Sequence, residues 1–515
     1  MSLAPQASTV DGIVRRSAAR FGDRTALRFE DREWSYADLD AAVSRVAAHL
    51  RGLGLVTGDR VAAYGRNSDA YLLGFLGCAR AGLVHVPLNY NLTGPELGYL
   101  LATAGARAVL VDPALAGVLD RLEPEAARTL EHRVLLRDAD GSVLAAAAAG
   151  PVPEVEVAVA DTDLAQFLYT SGTTSRPKAA MLSHKALVHE YLSCLLALDL
   201  SADDAPLHVM PLYHSAQMHV FLMPWLAVGA TNTVLEVPDP GEVLRRIEQD
   251  GHRAFFAAPT LWVAMANHAA FDTRDITGLP KAYYGASIMP GPVLGRLREK
   301  APGVGFYNCF GQSEIAPLAT VLRPEEHAER PDSAGRPVLF VEARVVDAAG
   351  DDVPAGEPGE VVYRSPQLSD GYWDDPAATA EAFAGGWFHS GDLVRRDAGG
   401  FLFVVDRIKD VINTGGVLVA SREVEDALYA HPAVAEVAVV GLPDERWIEA
   451  ITAFVVRKGE VGEPELVEHL RGRLAGFKLP KRITFVEALP HNASGKILKR
   501  ELRELSSSAP TGGPR

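Results

Sequence analysis

The stretch RVAAYGRNSDAYLLGFLGCARAGLVHVPLNYNLTGPELGYLLATAGARAVLV, residues 60–111, decides the fold. It holds three short apolar runs, Arg60–Tyr64, Leu83–Pro87 and Ala108–Val111, separated by two longer stretches of helical period. Runs of that length, bounded by Gly, Pro and Asn, read as buried strands, and strands alternating with helices build a parallel sheet from βαβ units. Upstream, Ser35 and Asp38 form a capping-box-like start, with Asp in place of Glu or Gln, for a helix ending near Gly52-Leu53-Gly54. Downstream, the alanine-rich Leu144–Pro153 closes on Gly-Pro-Val-Pro, carries little packing information and is expected to be a connection between two lobes. Mixed strands and helices resume from Leu164 to about Val405. The remainder holds two apolar runs, Val434–Val440 and Ile451–Val456, and a helix around Pro464–Leu474 with proline in its first turn, the makings of a small α+β domain. The fold class is therefore α/β, a large multi-lobed N-terminal domain with mainly parallel sheets followed by a small α+β domain. The tail after Leu505 is too poor in apolar groups to fold.

With 515 residues, 48% of them hydrophobic, the chain can bury more than one core. Its 66 Asp and Glu outnumber its 50 Lys and Arg, so its field repels nucleic acid and anionic lipid, and neither is expected as a partner. The three cysteines, Cys78, Cys194 and Cys309, lie far apart without a CxxC pair, which excludes a disulfide framework and a thiolate metal site and leaves them as small core residues. The N-terminus has no basic region followed by an apolar run, and no stretch of 18 apolar residues occurs. A cytoplasmic enzyme without an integral membrane segment is expected, as a monomer or homodimer.

The strongest local signal is Tyr169-Thr170-Ser171-Gly172-Thr173-Thr174-Ser175-Arg176-Pro177-Lys178, between the strand-like Leu164–Leu168 and a helical stretch beginning near Ser183. Five Ser and Thr hydroxyls, a glycine and two cations in ten residues can offer hydroxyl and backbone donors to phosphate oxygens, with Lys178 adding charge. Lys178 is followed by Ala179 and not preceded by glycine, so the GxxxxGK[ST] loop of nucleoside triphosphatases is absent. Four further elements follow in order: Phe310-Gly311-Gln312-Ser313-Glu314, Trp387-Phe388-His389-Ser390-Gly391-Asp392, Asp406-Arg407-Ile408-Lys409-Asp410 running on to Gly415-Gly416, and Leu489-Pro490-His491-Asn492-Ala493-Ser494-Gly495-Lys496. Read singly, each is an ordinary turn or solvated charged face.

Together, over residues 169 to 496, they resemble the motifs of the adenylate-forming superfamily: acyl-CoA synthetases, peptide-synthetase adenylation domains and beetle luciferases, with fatty-acyl-CoA synthetases nearest. In that superfamily the first loop reads approximately YTSGTTGxPKG, and this chain departs from it at Ser175 and Ala179. The resemblance implies that Thr170, Ser171, Gly172, Thr173, Thr174 and Lys178 grip the outer phosphates of ATP. It implies that Phe310 stacks on adenine opposite Gly285, Ala286 and Ser287, that Asn308 and Gly311 belong to the same slot, that Ser313 touches the α-phosphate, and that Glu314, with Thr170, holds Mg²⁺. Asp392 would accept the ribose hydroxyls, Arg407 bind the nucleotide, and Lys496 contact both the acid and the α-phosphate. Lys409 would be the hinge, which divides the chain into residues 1–408, residues 409–505 and a tail of residues 506–515. Gly415 and Gly416 would line the CoA tunnel, and His214, Gln217, Tyr284 and Gly285 the acid pocket. Gln217 stands where glycine is common in the superfamily, which makes the pocket polar or narrow.

The implied activity is an ATP-dependent ligase that converts a carboxylic acid, fatty or aryl, into an acyl-adenylate and then a CoA thioester, with ATP, Mg²⁺ and coenzyme A as its small molecules. AMP is the leaving group that a carboxylate otherwise lacks, and fixed cations opposing charge on the phosphoryl oxygens supply the rate. The same machinery also suits another acceptor or oxyanion, such as nitrite activation in an aryl-amine diazotase; luciferase-like oxidation and simple nucleotide binding are the remaining alternatives.

Overall fold

The structure, a computed structural model, describes residues 8–148, 150–170, 176–287, 289–444, 446–491 and 497–507. Residues 60–111 fold as three parallel strands, Arg60–Tyr64, Val84–Leu88 and Ala108–Val111, joined by helices Asp69–Ala81 and Gly94–Ala104. Ser68 caps the first helix by accepting the Tyr71 amide, and Gly82 ends it at a φ of 70°. The second strand starts one residue later than the apolar run because the Leu83 amide bonds back to the Cys78 carbonyl (2.9 Å) in closing that helix. With His132–Leu135 and Leu164–Thr170 these strands make a sheet that is parallel up to its last member.

That last member, Lys178–Ser183, corrects the sequence reading. The hydroxyl-rich stretch does not lead from a strand into a helix. It connects two antiparallel strands, Leu164–Thr170 and Lys178–Ser183, in which Thr170 stands opposite Lys178. The helix His184–Ala197 begins only afterwards, capped by Ser183. The alanine-rich connection is also more structured than expected: Val143–Ala148 is a helix whose Val143 and Ala147 are buried, and Arg45 on the helix Tyr36–Gly52 donates to the carbonyls of Ala147 (3.0 Å) and Gly150 (3.1 Å).

The second sheet has nine strands. Its middle is parallel, in the order Gly305–Gly311, Lys281–Gly285, Ala254–Ala257, Pro206–His208, Asn232–Val234 and Thr25–Phe29, and its margins are antiparallel. A buried polar chain ties the first sheet to the helix His184–Ala197 and the π-helical turn Ala216–Leu222. The Gln166 amide pairs with His85 Nδ1 (3.0 Å) and with His219 Nε2 (2.7 Å), and His219 Nδ1 pairs with the Tyr191 hydroxyl (2.9 Å).

A four-stranded antiparallel sheet, Glu342–Val346, Pro358–Arg364, Phe388–Arg396 and Leu402–Arg407, completes the large domain. The smaller C-terminal domain is built on Val434–Asp444 and Ile448–Arg457, with helices Ser421–Tyr429 and Glu463–Arg471. Its last helix, Lys499–Ser507, runs two residues past Leu505, where the tail had been expected to begin.

Burial holds His85 and His219 down to about 3 and His208 down to about 4. These histidines stay neutral when folded and bind protons near pH 6.5 when unfolded, so the stability they contribute is complete above about pH 6.5 and is lost as pH falls toward their folded values. His219→Gln is expected to make the fall in unfolding free energy from urea titrations between pH 6.5 and 4 shallower, by up to about 1.4 kcal/mol per pH unit for one proton. Equal slopes for the two proteins would contradict it.

Candidate active site

Parallel strands end together, and here their carboxyl ends open on one crevice, the usual place for a ligand in an α/β sheet. A small cavity there is lined by Met210, Pro211 and His214 beyond Pro206–His208, by Phe256 and Ala258 at the end of Ala254–Ala257, by Ala286 beyond Lys281–Gly285, and by Ala216 and Gln217. His214 accepts the Ala216 amide at Nδ1 (3.3 Å), which turns its ring at the entry to the π-helical turn Ala216–Leu222. Gln217 is fully buried. Its Oε1 accepts the Met210 amide (3.1 Å) and its Nε2 pairs with His208 Nδ1 (2.8 Å), so both ends of the amide are already used. Of the two expectations for this position, narrow is the one this bonding supports; the polar atoms belong to the scaffold.

Two other residues expected in the acid pocket meet partners within the protein. The buried Tyr284 hydroxyl pairs with His327 Nε2 (3.0 Å). Gly285 is needed by the protein itself, since a Cβ there would stand 2.2 Å from the Cys309 carbonyl oxygen on the neighbouring strand. Ala286, at φ 66°, turns the chain out of the sheet and into the cavity wall, and Ser287 follows it half-buried.

Alongside, Gly305–Gly311 delivers Phe310, half-buried, and the short 3-10 turn Ser313–Ile315 delivers Ser313 and Glu314. Gly311 is again a close approach: a Cβ would lie 1.9 Å from the Pro317 carbonyl. The Asn308 amide donates to the Ser333 carbonyl (2.9 Å), holding the strand to its neighbouring loop. Gln312, the unassigned position of its motif, donates from Nε2 to the Ser390 carbonyl (2.9 Å) and to Asp392 Oδ2. Asp392 is 2% exposed, lies opposite Arg407 across two strands and pairs with its guanidinium through Oδ1. Gln312 thus joins the third motif to the second, which sequence spacing gave no means of seeing.

On the opposite wall, Thr170 and Lys178 face each other at the mouth of the hairpin. The Lys178 ammonium lies 4.0 Å from Asp375 and 5.3 Å from the centre of the Tyr372 ring. The Tyr372 hydroxyl donates to Glu314 Oε1 (3.0 Å). Burial and the Glu314 charge push this phenol well above its ordinary value, so it stays a donor. Tyr372 was not among the expected site residues; the one signal for it was the Gly-Tyr-Trp punctuation at 371–373. Ser171, Gly172, Thr173, Thr174 and Lys496 lie outside the described residues.

Lys409 is exposed, in the 3-10 turn Ile408–Asp410 between the four-stranded sheet and the C-terminal domain. Gly415 and Gly416 form the exposed tip of the hairpin made by Ile412–Thr414 and Val417–Val419, with Leu418 69% exposed beside them.

The model of the AMP-binding enzyme family matches residues 14–373, and that of the AMP-binding enzyme C-terminal domain matches residues 423–496. The chain belongs to this family. Feruloyl-CoA synthase from an Amycolatopsis species is 39% identical over 481 residues, 93% of this chain and 95% of that protein. ATP-bound MatB from Rhodopseudomonas palustris aligns with a TM-score of 0.88 at 30% identity, over 98% of this chain and 99% of that one. The anthranilate CoA ligase AuaEII in complex with anthranoyl-AMP aligns with a TM-score of 0.90 at 27% identity, over the same shares of 98% and 99%.

In this AMP-binding enzyme Gln312, Asp392 and Arg407 form one hydrogen-bonded node. A hydrogen bond to a charged group contributes about 1.5–3 kcal/mol. Gln312→Leu is therefore expected to weaken ATP binding by roughly 10- to 100-fold in calorimetry. Unchanged affinity would detach the node from the nucleotide.

Proposed function

We propose that this AMP-binding enzyme is an AMP-forming acid–CoA ligase whose acid is compact and aromatic. The observation that carries the acid class is Gln217 in the cavity wall: its amide is held by the Met210 amide and His208, so a bulky side chain stands fixed beside the space that the acid would fill. Flat or small walls, His214, Pro211, Phe256, Ala258 and Ala286, suit a ring. The feruloyl- and anthraniloyl-activating relatives support the same reading.

Each group has work that its position suits. Phe310 stacks on adenine against the Gly285-Ala286-Ser287 turn, Asp392 receives the ribose hydroxyls through lone pairs left over from Arg407 and Gln312, and the hydroxyl-rich hairpin holds the outer phosphates. An oxygen of the substrate carboxylate attacks the α-phosphorus, the bond to the bridging oxygen breaks, and pyrophosphate leaves with the electron pair. Ser313, Lys178 and Lys496 oppose the charge that builds on the phosphoryl oxygens. The sulfur of CoA, its proton lost to solvent, then attacks the acyl carbon and AMP departs.

Glu314 fits Mg²⁺. Among the described residues its carboxylate accepts one hydrogen bond, from Tyr372, and no group of three or more His, Cys, Asp or Glu side chains could hold a metal alone. That is the donor set of a small hard cation bound mainly by substrate phosphates and water. Glu314 and the Thr170 hydroxyl would hold the ion, which neutralises phosphate charge when bound.

Between the two steps the C-terminal domain turns at Lys409, exchanging Lys496 for the Gly415-Gly416 tip. Bonds across the hinge would break in that turn: Ser421 donates to Asp406 from its amide (2.6 Å) and its hydroxyl (2.9 Å), and Arg422 donates to the Val404 carbonyl.

Two measurements test this reading. In pyrophosphate exchange over a panel of acids, cinnamic- and benzoic-type acids are expected to exceed long-chain fatty acids, and Gln217→Ala to narrow the gap, with mass determination of the CoA product fixing the acceptor. A wild-type preference for long alkyl acids would overturn the acid class. Lys496→Ala is expected to slow adenylation by about 10²–10³ while sparing thioester formation from supplied acyl-adenylate. An equal loss in both would sink the two-arrangement account.

A further inference from the structure

Tyr372 lies on no helix and on no strand of the main ladders, yet four contacts fix its backbone. Segment 370–373 docks on the outer edge of Lys178–Ser183: the Met181 amide bonds to the Gly371 carbonyl (2.9 Å), the Asp370 amide to the Met181 carbonyl (2.8 Å) and the Trp373 amide to the Ala179 carbonyl (2.9 Å). The Tyr372 amide itself donates to the Thr379 hydroxyl (2.9 Å). Next to it, the Trp373 ring packs on Phe167 of the adjoining strand, 5.0 Å between centroids. The segment also grips Glu314 from behind, because the Ser369 amide donates to the Glu314 carbonyl (2.8 Å).

Two groups meet on the side chain held in this way. The hydroxyl donates to Glu314 Oε1 (3.0 Å), and the ring carries the Lys178 ammonium at 5.3 Å, inside the range of cation–π attraction. Asp375, the other group near that ammonium, is itself committed: its Oδ1 caps the helix Pro376–Ala382 by accepting the Ala378 amide (2.9 Å). A carboxylate with one oxygen bonded to a fixed phenol presents the other in a set direction, and an ammonium resting on the same ring is held at a set distance from that carboxylate.

We propose that Tyr372 is a positioning residue of the adenylation step, aiming the Glu314 carboxylate with its hydroxyl and seating the Lys178 ammonium with its ring. This rests on the reading that Glu314 faces the metal–nucleotide complex and Lys178 its phosphates. The two functions are carried by different atoms, so two substitutions separate them. Tyr372→Phe keeps the ring and removes the aim; Tyr372→Leu removes both.

The experiment titrates Mg²⁺ in acid-dependent pyrophosphate exchange and, separately, measures ATP binding by calorimetry with and without Mg²⁺, for wild type, Tyr372→Phe, Tyr372→Leu and Glu314→Gln. Tyr372→Phe is expected to raise the half-saturating Mg²⁺ concentration by roughly 3- to 30-fold while metal-free ATP binds as in wild type and the thermal midpoint stays put. Tyr372→Leu is expected to weaken metal-free ATP binding as well, by roughly 3-fold. A Tyr372→Phe protein with the wild-type Mg²⁺ dependence, beside a Glu314→Gln protein whose dependence is shifted, overturns the positioning role and leaves the Glu314 reading intact. If Glu314→Gln is itself unshifted, that reading falls and the proposal falls with it.

Discussion

The main-chain ladder between Leu164–Thr170 and Lys178–Ser183 is the constraint from which the site follows. It sets Thr170 opposite Lys178 and brings both ends of the hydroxyl-rich connection to one edge of the crevice. Its outer edge would otherwise leave unpaired amides and carbonyls; segment 370–373 satisfies them and in doing so carries Tyr372 to Glu314. A hydrogen-bonding requirement of the backbone therefore ends up ordering charged side chains from three distant parts of the chain.

Those side chains are engaged before any nucleotide arrives. Asp392 holds Arg407 and Gln312, Lys178 lies between Asp375 and the Tyr372 ring, and Glu314 accepts from Tyr372. A buried carboxylate without such partners would pay a large desolvation penalty or take up a proton. Engaged groups also need little reorganisation when charge develops nearby, which is where fixed donors gain their catalytic advantage.

At the domain junction the same economy of partners recurs. Helix Ser421–Tyr429 begins after Ala420, which has no side chain to cap it, and Asp406 caps it from the large domain instead. Such a cap contributes about 1 kcal/mol, small enough to be exchanged in a domain rotation and large enough to favour one arrangement. Lys499 of the last helix adds to it, bonding Ser421 Oγ (2.6 Å) and Glu425 (2.8 Å).

Much of this was legible before the chain was folded. The period of residues 60–111 determined the parallel sheet, Ser35 and Ser183 announced helix starts, and the hydroxyl-rich stretch with the ordered motifs marked the family, because strand and helix periods, caps and phosphate-binding turns are local properties of consecutive residues. The second strand at Lys178–Ser183, with Ala179-Ala180-Met181-Leu182 between a lysine and a serine, was not legible, since six residues of mixed polarity become a strand only when a partner on each side supplies hydrogen bonds. The same holds for the parts of Gln217, Tyr284, Gln312 and Tyr372. Whether an amide faces a ligand or its own scaffold, and which carboxylate a phenol reaches, depends on groups far away in the chain, and only tertiary packing decides which of them come within 3 Å, the distance at which Tyr372 meets Glu314 and Tyr284 meets His327.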